Sequence, residues 1–385
     1  MKLDLREKLP RMLNRAYGPD ERTPLIGSAT IRKVFDVASL VLFFYFVTQF
    51  FWPAPLGVIV QGAVVGGLTA MISFGMVLIY RANRIVNFAQ GDMGGEPAAL
   101  MVLLIASGWP YFIAVVIGLA AAVVLGTVVE TLIIRRFFKS PRLILTVATI
   151  GLSQILAGVA VSLPRAFDFT VPPQSFPSPF DFAFEIKPII FRGNHILAMM
   201  AIAAAIVGLA AFFRYTNIGI AVRASAESTD RAFLLGIPVK RVHTIVWVVA
   251  ALLATVAMFL RAGIMGLPFG RVLAPAILLR ALAAAVMGRM ERLPTVFFAA
   301  ISIGIIEQSI IWHNGNSNFT APILFVVVLV GLLAQRKGEA KRTEEGSSWQ
   351  ALKEIRRIPR ELKNLPEVKW VVRAFVGLFA AFLLT

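Results

Sequence analysis

Eight stretches of this chain are apolar and long, or nearly long, enough to cross a bilayer: 34–52, 57–80, 110–134, 143–163, 194–213, 242–265, 294–312 and 320–334. A helix advances about 1.5 Å per residue against a hydrocarbon core of about 30 Å, so a span takes about 20 mainly apolar residues. Two shorter apolar segments, 94–108 and 273–288, are interrupted or flanked by Gly and Pro. Counting both, the chain reads as an all-α, polytopic transmembrane helix bundle of about ten spans, two of them short interrupted helices. Composition agrees, with 58% hydrophobic and only 15% charged residues, whereas soluble domains carry roughly a quarter charged residues.

Charge sets the sidedness. With the N-terminus in the cytoplasm, Lys2 to Lys33, Arg81 and Arg84, the loop Arg135–Arg136–Lys139–Arg142, the segment 214–241, Arg289 and Arg292, and 335–373 all face the cytoplasm. Arg165, Lys187, Arg192 and Arg271 remain on the other side, the bias that the positive-inside rule demands. The expected organisation is a cytoplasmic arm over 1–33, a membrane domain over 34–334 with a cytoplasmic loop at 214–241, and a basic cytoplasmic segment over 335–370. A further apolar stretch, 371–385, is too short to cross comfortably. It reads as an interfacial segment or as the first part of another span in a longer, fused protein. Before it, Trp349, Leu352, Ile355, Ile358 and Leu362 recur at helical spacing among basic residues. That pattern fits an amphipathic helix on lipid or on a partner, and equally a solvated linker broken by Pro359 and Pro366. The first 33 residues carry no signal-peptide pattern, so the first apolar segment is expected to be retained in a multi-pass membrane protein. The net charge of +17 lies between apolar runs without a base-reading pattern, which argues for lipid and against nucleic acid as a partner.

Motifs for chemistry are few. There is no phosphate-binding G-x-x-x-x-G-K-[ST] run, so the chain itself is expected to hold no ATP and to be no enzyme. His195, His243 and His313 are too scattered for a metal site, and no cysteine is present. The charges within or beside apolar segments are Glu96, Glu130, Arg261, Arg280 and Glu307. Each costs about 2.5–3.5 kcal/mol or more at mid-membrane unless it faces protein or water. Glu130 is close enough to Arg135 to pair with it, and Arg261 close enough to the outer end of its span to reach the interface. Glu307 sits centrally and is the strongest candidate for a pathway or packing role. Gly94, Gly95 and Pro97 interrupt the first short segment, and Gly263, Gly266, Pro268, Gly270 and Pro275 precede or open the second. Paired interrupted segments of opposite direction are a pointer to a translocation site. The spacings Gly62–Gly66 and Gly118–Ala122–Gly126 permit close helix contact.

The loop 214–241 reads RYTNIGIAVRASAESTDRAFLLGIPVKR. Ser225 or Ser228 is placed to cap a short helix running to Leu235, with Gly236 as its stop. Such a helix either docks into a partner's groove or merely links two spans.

Three runs resemble the inner-membrane permeases of branched-chain amino-acid ABC transporters: GLTAMISFGMVLIYRANRIVNFAQGDM at 67–93, ETLIIRRFFKSPRLILTVATIGLSQIL at 130–156, and GIAVRASAESTDRAFLLGIPVKRV at 219–242. The resemblance implies a permease subunit importing branched-chain or other hydrophobic amino acids, or related solutes such as amides. Separate ABC ATPase subunits would bind the ATP. An extracytoplasmic substrate-binding protein would deliver cargo, and a second permease subunit or fused permease half would complete the path. It places Arg223, Ala226, Glu227, Asp230, Ala232 and Gly236 in an ATPase-coupling loop, and Asn87, Phe88, Gln90 and Gly91 in a short re-entering segment near the path. Thr149 and Ser153 of the second run, with Glu96 and Glu307, complete the path candidates. The chain departs from the family where Val286–Met287–Gly288–Arg289–Met290–Glu291–Arg292–Leu293–Pro294, too bulky and charged for the same close backbone approach, replaces a Gly-rich turn, where Gln90 stands for a common His, and at Glu96–Pro97. Two other readings are a secondary transporter using Glu130 and Glu307 as a relay, and a membrane scaffold that binds a partner through 219–242.

Overall fold

The computed structural model describes residues 50–137, 140–169, 176–227, 232, 234, 236–266 and 274–314, with the isolated positions 322, 325, 326 and 329. The arm 1–33, the candidate spans 34–52 and 320–334, the segments 335–370 and 371–385, and Asp230 lie outside the described residues or almost wholly so.

Within the described residues the chain forms nine α-helices and one hairpin. The helices are α1 (Leu56–Asn83), α2 (Gln90–Ala106), α3 (Tyr111–Val128), α4 (Arg142–Ala166), α5 (Gly193–Tyr215), α6 (Asn217–Glu227), α7 (Val239–Met265), α8 (Ala274–Met287) and α9 (Leu293–Asn314). The hairpin pairs β1 (Ala183–Ile186) with β2 (Ile189–Arg192), antiparallel, with Ile186 opposite Ile189. Six helices among the described residues are long and apolar enough to span a membrane: α1, α3 with its extension to Phe137, α4, α5, α7 and α9. They coincide with six of the eight long apolar stretches; the two short segments are α2 and α8.

Helices α1 and α7 form the centre. Helix α1 is buried along nearly its whole length, packing against α9 on one side and α7 on another, while α2 and α3 cover α7. Small residues make this possible. A Cβ at Gly62 would lie 2.6 Å from Ile305 Cα, and one at Gly126 would lie 3.0 Å from Val248 Cα. Ala114, Gly118, Ala122 and Gly126 are the buried residues of α3, so the small-residue spacings do mark contact faces. Helices α4 and α5 are peripheral and present exposed apolar residues such as Val147, Ile150, Ile155, Met200 and Val207, as lipid-facing or partner-facing helices do.

Two local expectations are corrected, and a third falls outside the described residues. Gly94, Gly95 and Pro97 do not break the first short segment; α2 runs through them. Pro97 forfeits one backbone hydrogen bond. Gly94 serves contact instead, since a Cβ there would lie 2.6 Å from Ala254 O. The expected helix from Ser225 or Ser228 to Leu235 lies almost wholly outside the described residues. An earlier helix, α6, starts where the Thr216 hydroxyl accepts from Gly219 N at 2.9 Å, and within it Ser225 bonds back to Val222 O. Finally, the turn at 286–294 does bring backbones close. A Cβ at Gly288 would lie 3.0 Å from Val296 N, while Arg289 and Met290 take φ of 55° and 53°. That left-handed conformation is one in which glycine is at ease.

Candidate functional site

The segment after α1 climbs back into the bundle. Asn83 meets His243, Nδ2 to Nδ1 at 3.4 Å, near the start of α7, whereas Gln90 Nε2 donates to Ala250 O at 3.0 Å. The seven residues between those two α7 positions correspond to about 10 Å of rise. Helix α2 therefore starts at mid-depth and runs alongside α7 in the same direction, with Gly94 against Ala254 and Gly95 near Met258. Asn87, Phe88, Gln90 and Gly91 thus lie where the chain turns back along α7.

Hydrogen bonds hold it there. Asn87 Oδ1 accepts from Ala89 N at 3.0 Å, a local turn that asparagine favours. Its Nδ2 donates to Gln90 Oε1 at 3.1 Å. Phe88 N donates to Thr149 Oγ1 at 3.1 Å, and that hydroxyl donates to Thr146 O at 2.7 Å. Asn87, Gln90 and Thr149 are fully buried, and Gly91 is buried beside them. Gln90 both accepts from the loop and donates to α7, a double role that a neutral amide can fill. Replacing it with leucine breaks both bonds, and Gln90→Leu is expected to lose about 1–3 kcal/mol, read as a lower thermal midpoint of the purified protein.

Beyond the pin, α2 meets α4 along a polar seam. Asp92, in the first turn of α2, accepts from the Ser153 hydroxyl, and one turn later Glu96 has a buried oxygen without a partner among the described residues. A carboxylate at a helix N-terminus is favoured by the helix dipole. Sequence reasoning missed Asp92. Its spacing of four from Glu96 on one helix face was the available signal.

The remaining candidate charges fall into two clusters. Glu130 lies in a π-helical turn, Val129–Ile134, that follows α3. Arg135 Nη2 donates to Glu130 Oε2 at 2.7 Å, and the Thr244 hydroxyl of α7 donates to the same oxygen at 2.8 Å. Pairing with Arg135 is thus the observed outcome. Arg261 is corrected: it does not reach for the interface but turns inward, 3.9 Å from Glu307, which also pairs with Arg280 at 3.0 Å. The burial that Glu307 gains on α9 is therefore matched by charges from α7 and α8.

At the basic end of the bundle, α6 folds against α1, α5 and α7. Gly219, Val222 and Ser225 face inward, while Ile218, Ile220 and Arg223 are exposed. Ala226 and Glu227 are in its last turn. Beyond them Ala232 is buried, Leu234 is 83% exposed, and Gly236 adopts φ +78° with Ile237 N donating to Ala232 O. That left-handed backbone is one a glycine adopts without strain.

Residues 58–333 match the family model described as the branched-chain amino acid transport system / permease component. The high-affinity branched-chain amino acid transport system permease protein LivH of Escherichia coli is 27% identical over 321 residues, covering 78% of this chain and 97% of that protein. LivH of Salmonella typhimurium is 27% identical over 318 residues, with the same coverage, 78% and 97%. BraD of Pseudomonas aeruginosa, a permease protein of the same kind of system, is 27% identical over 263 residues, covering 65% of this chain and 84% of that one. With its apolar helices, its re-entering segment and a family match over most of its length, this chain belongs to the permease component family of branched-chain amino acid transport systems.

Proposed function

We propose that this chain is the membrane-spanning subunit of an ATP-driven importer for branched-chain or other hydrophobic amino acids, or related small solutes such as amides. ATP is bound and hydrolysed by separate subunits, a second permease subunit or fused half completes the path, and an extracytoplasmic binding protein presents the cargo. The α6 end of the bundle, which carries Arg81, Arg84, Arg135, Arg136, Arg214, Arg223, Lys240, Arg241, Arg289 and Arg292, is the cytoplasmic face under the positive-inside rule.

The observation that carries this reading is α6 itself. It is a short helix seated across the ends of α1, α5 and α7, with an outward surface of Ile218, Ile220, Arg223 and, after it, Leu234. Exposed apolar side chains beside a cation on a cytoplasmic surface suit docking to another protein. Arg223, Ala226 and Glu227 belong to this element, and Asp230, Ala232 and Gly236 to the same loop. A rigid helix in contact with the two central helices can pass a partner's movement to the path. Glu130 and Glu307, the carboxylates a proton relay would need, are both held in ion pairs, which further supports an external energy source.

The test is co-purification with the ATPases encoded beside the gene. Glu227→Arg combined with Gly236→Trp is expected to lose the ATPase while the permease still elutes as folded protein. Unchanged association in the variant would sink the docking role, and no ATPase with either protein would return the chain to the scaffold or secondary-transport readings.

A further inference from the structure

Three charged side chains from three helices meet inside the bundle near its hairpin end. Arg261 lies about one turn before the end of α7, Arg280 in the second turn of α8, and Glu307 about two turns before the end of α9. Glu307 Oε1 is 3.0 Å from Arg280 Nη2 and 3.9 Å from Arg261 Nη2. The side chains are only 17%, 13% and 4% exposed for Arg280, Arg261 and Glu307. Two guanidiniums thus share one carboxylate, and the closer pair takes it. At 3.9 Å the Arg261 contact is an ion pair without a hydrogen bond, and Arg261 Nη1 is buried with no hydrogen-bond partner among the described residues. The cluster carries one positive charge in excess, in a setting where a buried cation demands a counter-charge.

An arginine fork matches a carboxylate in two parallel hydrogen bonds. We propose that Arg261, supported by Arg280, is a binding site for the carboxylate of the transported amino acid, with Glu307 as the resident anion that occupies Arg280. The inference rests on reading the chain as an amino-acid permease and names the group that would recognise the charged end of the solute. A single excess charge suits a singly charged anion. Side chains this enclosed suit a small solute better than a two-chained lipid headgroup. The cluster also draws on α8, the second of the two short segments.

The test uses the complete transporter, purified with its ATPases and without the binding protein. Thermal unfolding is followed with L-leucine, with L-leucinamide, which lacks the carboxylate, and with sodium chloride at matched concentration. Leucine is expected to raise the midpoint of the wild type and leucinamide to leave it unchanged. Arg261→Gln should weaken the leucine response at least about tenfold in apparent affinity, as loss of a charged hydrogen bond does, and Arg261→Lys should lose less. Glu307→Gln should tighten leucine binding by removing a competing negative charge, a gain that a merely structural role would not produce. If Arg261→Gln fails to assemble, Glu307→Gln decides, and leucine binding no tighter than wild type refutes the site. Equal stabilisation by leucinamide, no response of the wild type to leucine, or a chloride response that vanishes in Arg261→Gln would each overturn it. ATP-driven leucine uptake by the wild type in proteoliposomes with the binding protein tests the permease reading separately. Active uptake with an Arg261→Gln leucine response like that of wild type would refute the site alone.

Discussion

Valine at position 66 is expected to abolish accumulation of folded protein in the membrane. A Cβ at Gly66 would lie 2.6 Å from Ala300 O and from Ile301 Cα, and one at Gly304 would lie 2.5 Å from Gly66 Cα. Gly62 makes the same kind of approach to Ile305. At this crossing of α1 and α9 the obstacles are backbone atoms, which cannot step aside as a side chain can. Overpacking a core that can adjust costs about 1–3 kcal/mol, so Gly66→Val is expected to exceed that range. Gly151→Ala and Gly158→Ala are the matched controls. Among the described residues nothing lies within 4 Å of a Cβ at either position, and replacing a helical glycine with alanine is worth about 0.5–1 kcal/mol in favour of the isolated subunit. Size-exclusion profiles of solubilised membranes should show no monodisperse peak for Gly66→Val and wild-type or larger peaks for the controls. A normal peak for Gly66→Val would show that the two helices are not in backbone contact.

The Glu130–Arg135 pair should respond asymmetrically to loss of either partner. The Glu130 side chain is 3% exposed and that of Arg135 is 37% exposed. Arg135→Ala strands a buried carboxylate with the Thr244 hydroxyl as its remaining hydrogen-bond donor. Glu130→Gln keeps a hydrogen bond to Thr244 and lets Arg135 turn to water. Breaking a fully buried pair costs about 3–5 kcal/mol. Discounted for the exposure of Arg135, Arg135→Ala is expected to cost about 2–3 kcal/mol and Glu130→Gln less than about 1 kcal/mol. The double variant should regain most of the loss, because no charge is then left buried and unmatched. Midpoints of thermal unfolding for the three variants check this, and a Glu130→Gln protein less stable than Arg135→Ala would contradict it.

What the sequence made legible follows from the bilayer. Each span must be long, apolar and internally hydrogen-bonded, so hydropathy alone located α1, α3, α4, α5, α7 and α9 to within a few residues. The charge of Glu130 found its partner because Arg135 is close along the same helix. The inward turn of Arg261 was not legible, since its partners come from α8 and α9 and no local spacing records that. Gly94 was ambiguous for a similar reason. A glycine that breaks a helix and one that admits a neighbouring backbone look alike until Ala254 is seen beside it. Helix α6 was missed because Thr216, the hydroxyl at its start, directly follows the apolar run of α5 and carries no separate signal of a second helix. Of the path candidates, the course of Asn87 to Gly91 was readable only through family resemblance, whereas Asp92 needed α4 to show its partner Ser153.

The π-helical turn at Val129–Ile134 has a consequence for the angular phase of the third span. Residues Ala114, Gly118, Ala122 and Gly126 advance in steps of four, and in an ideal α-helix each such step drifts about 40° around the axis. Continued unchanged, that drift would carry Glu130 and Ile134 off the packed side. The wider turn takes up the lag, so both stay buried and Glu130 meets Thr244. One residue's worth of slack thus lets a single helix serve two differently angled neighbours. Deleting a residue between Val129 and Ile134 would restore regular winding and leave Arg135 facing the same way, because the wide turn already holds back the roughly 100° that one residue contributes.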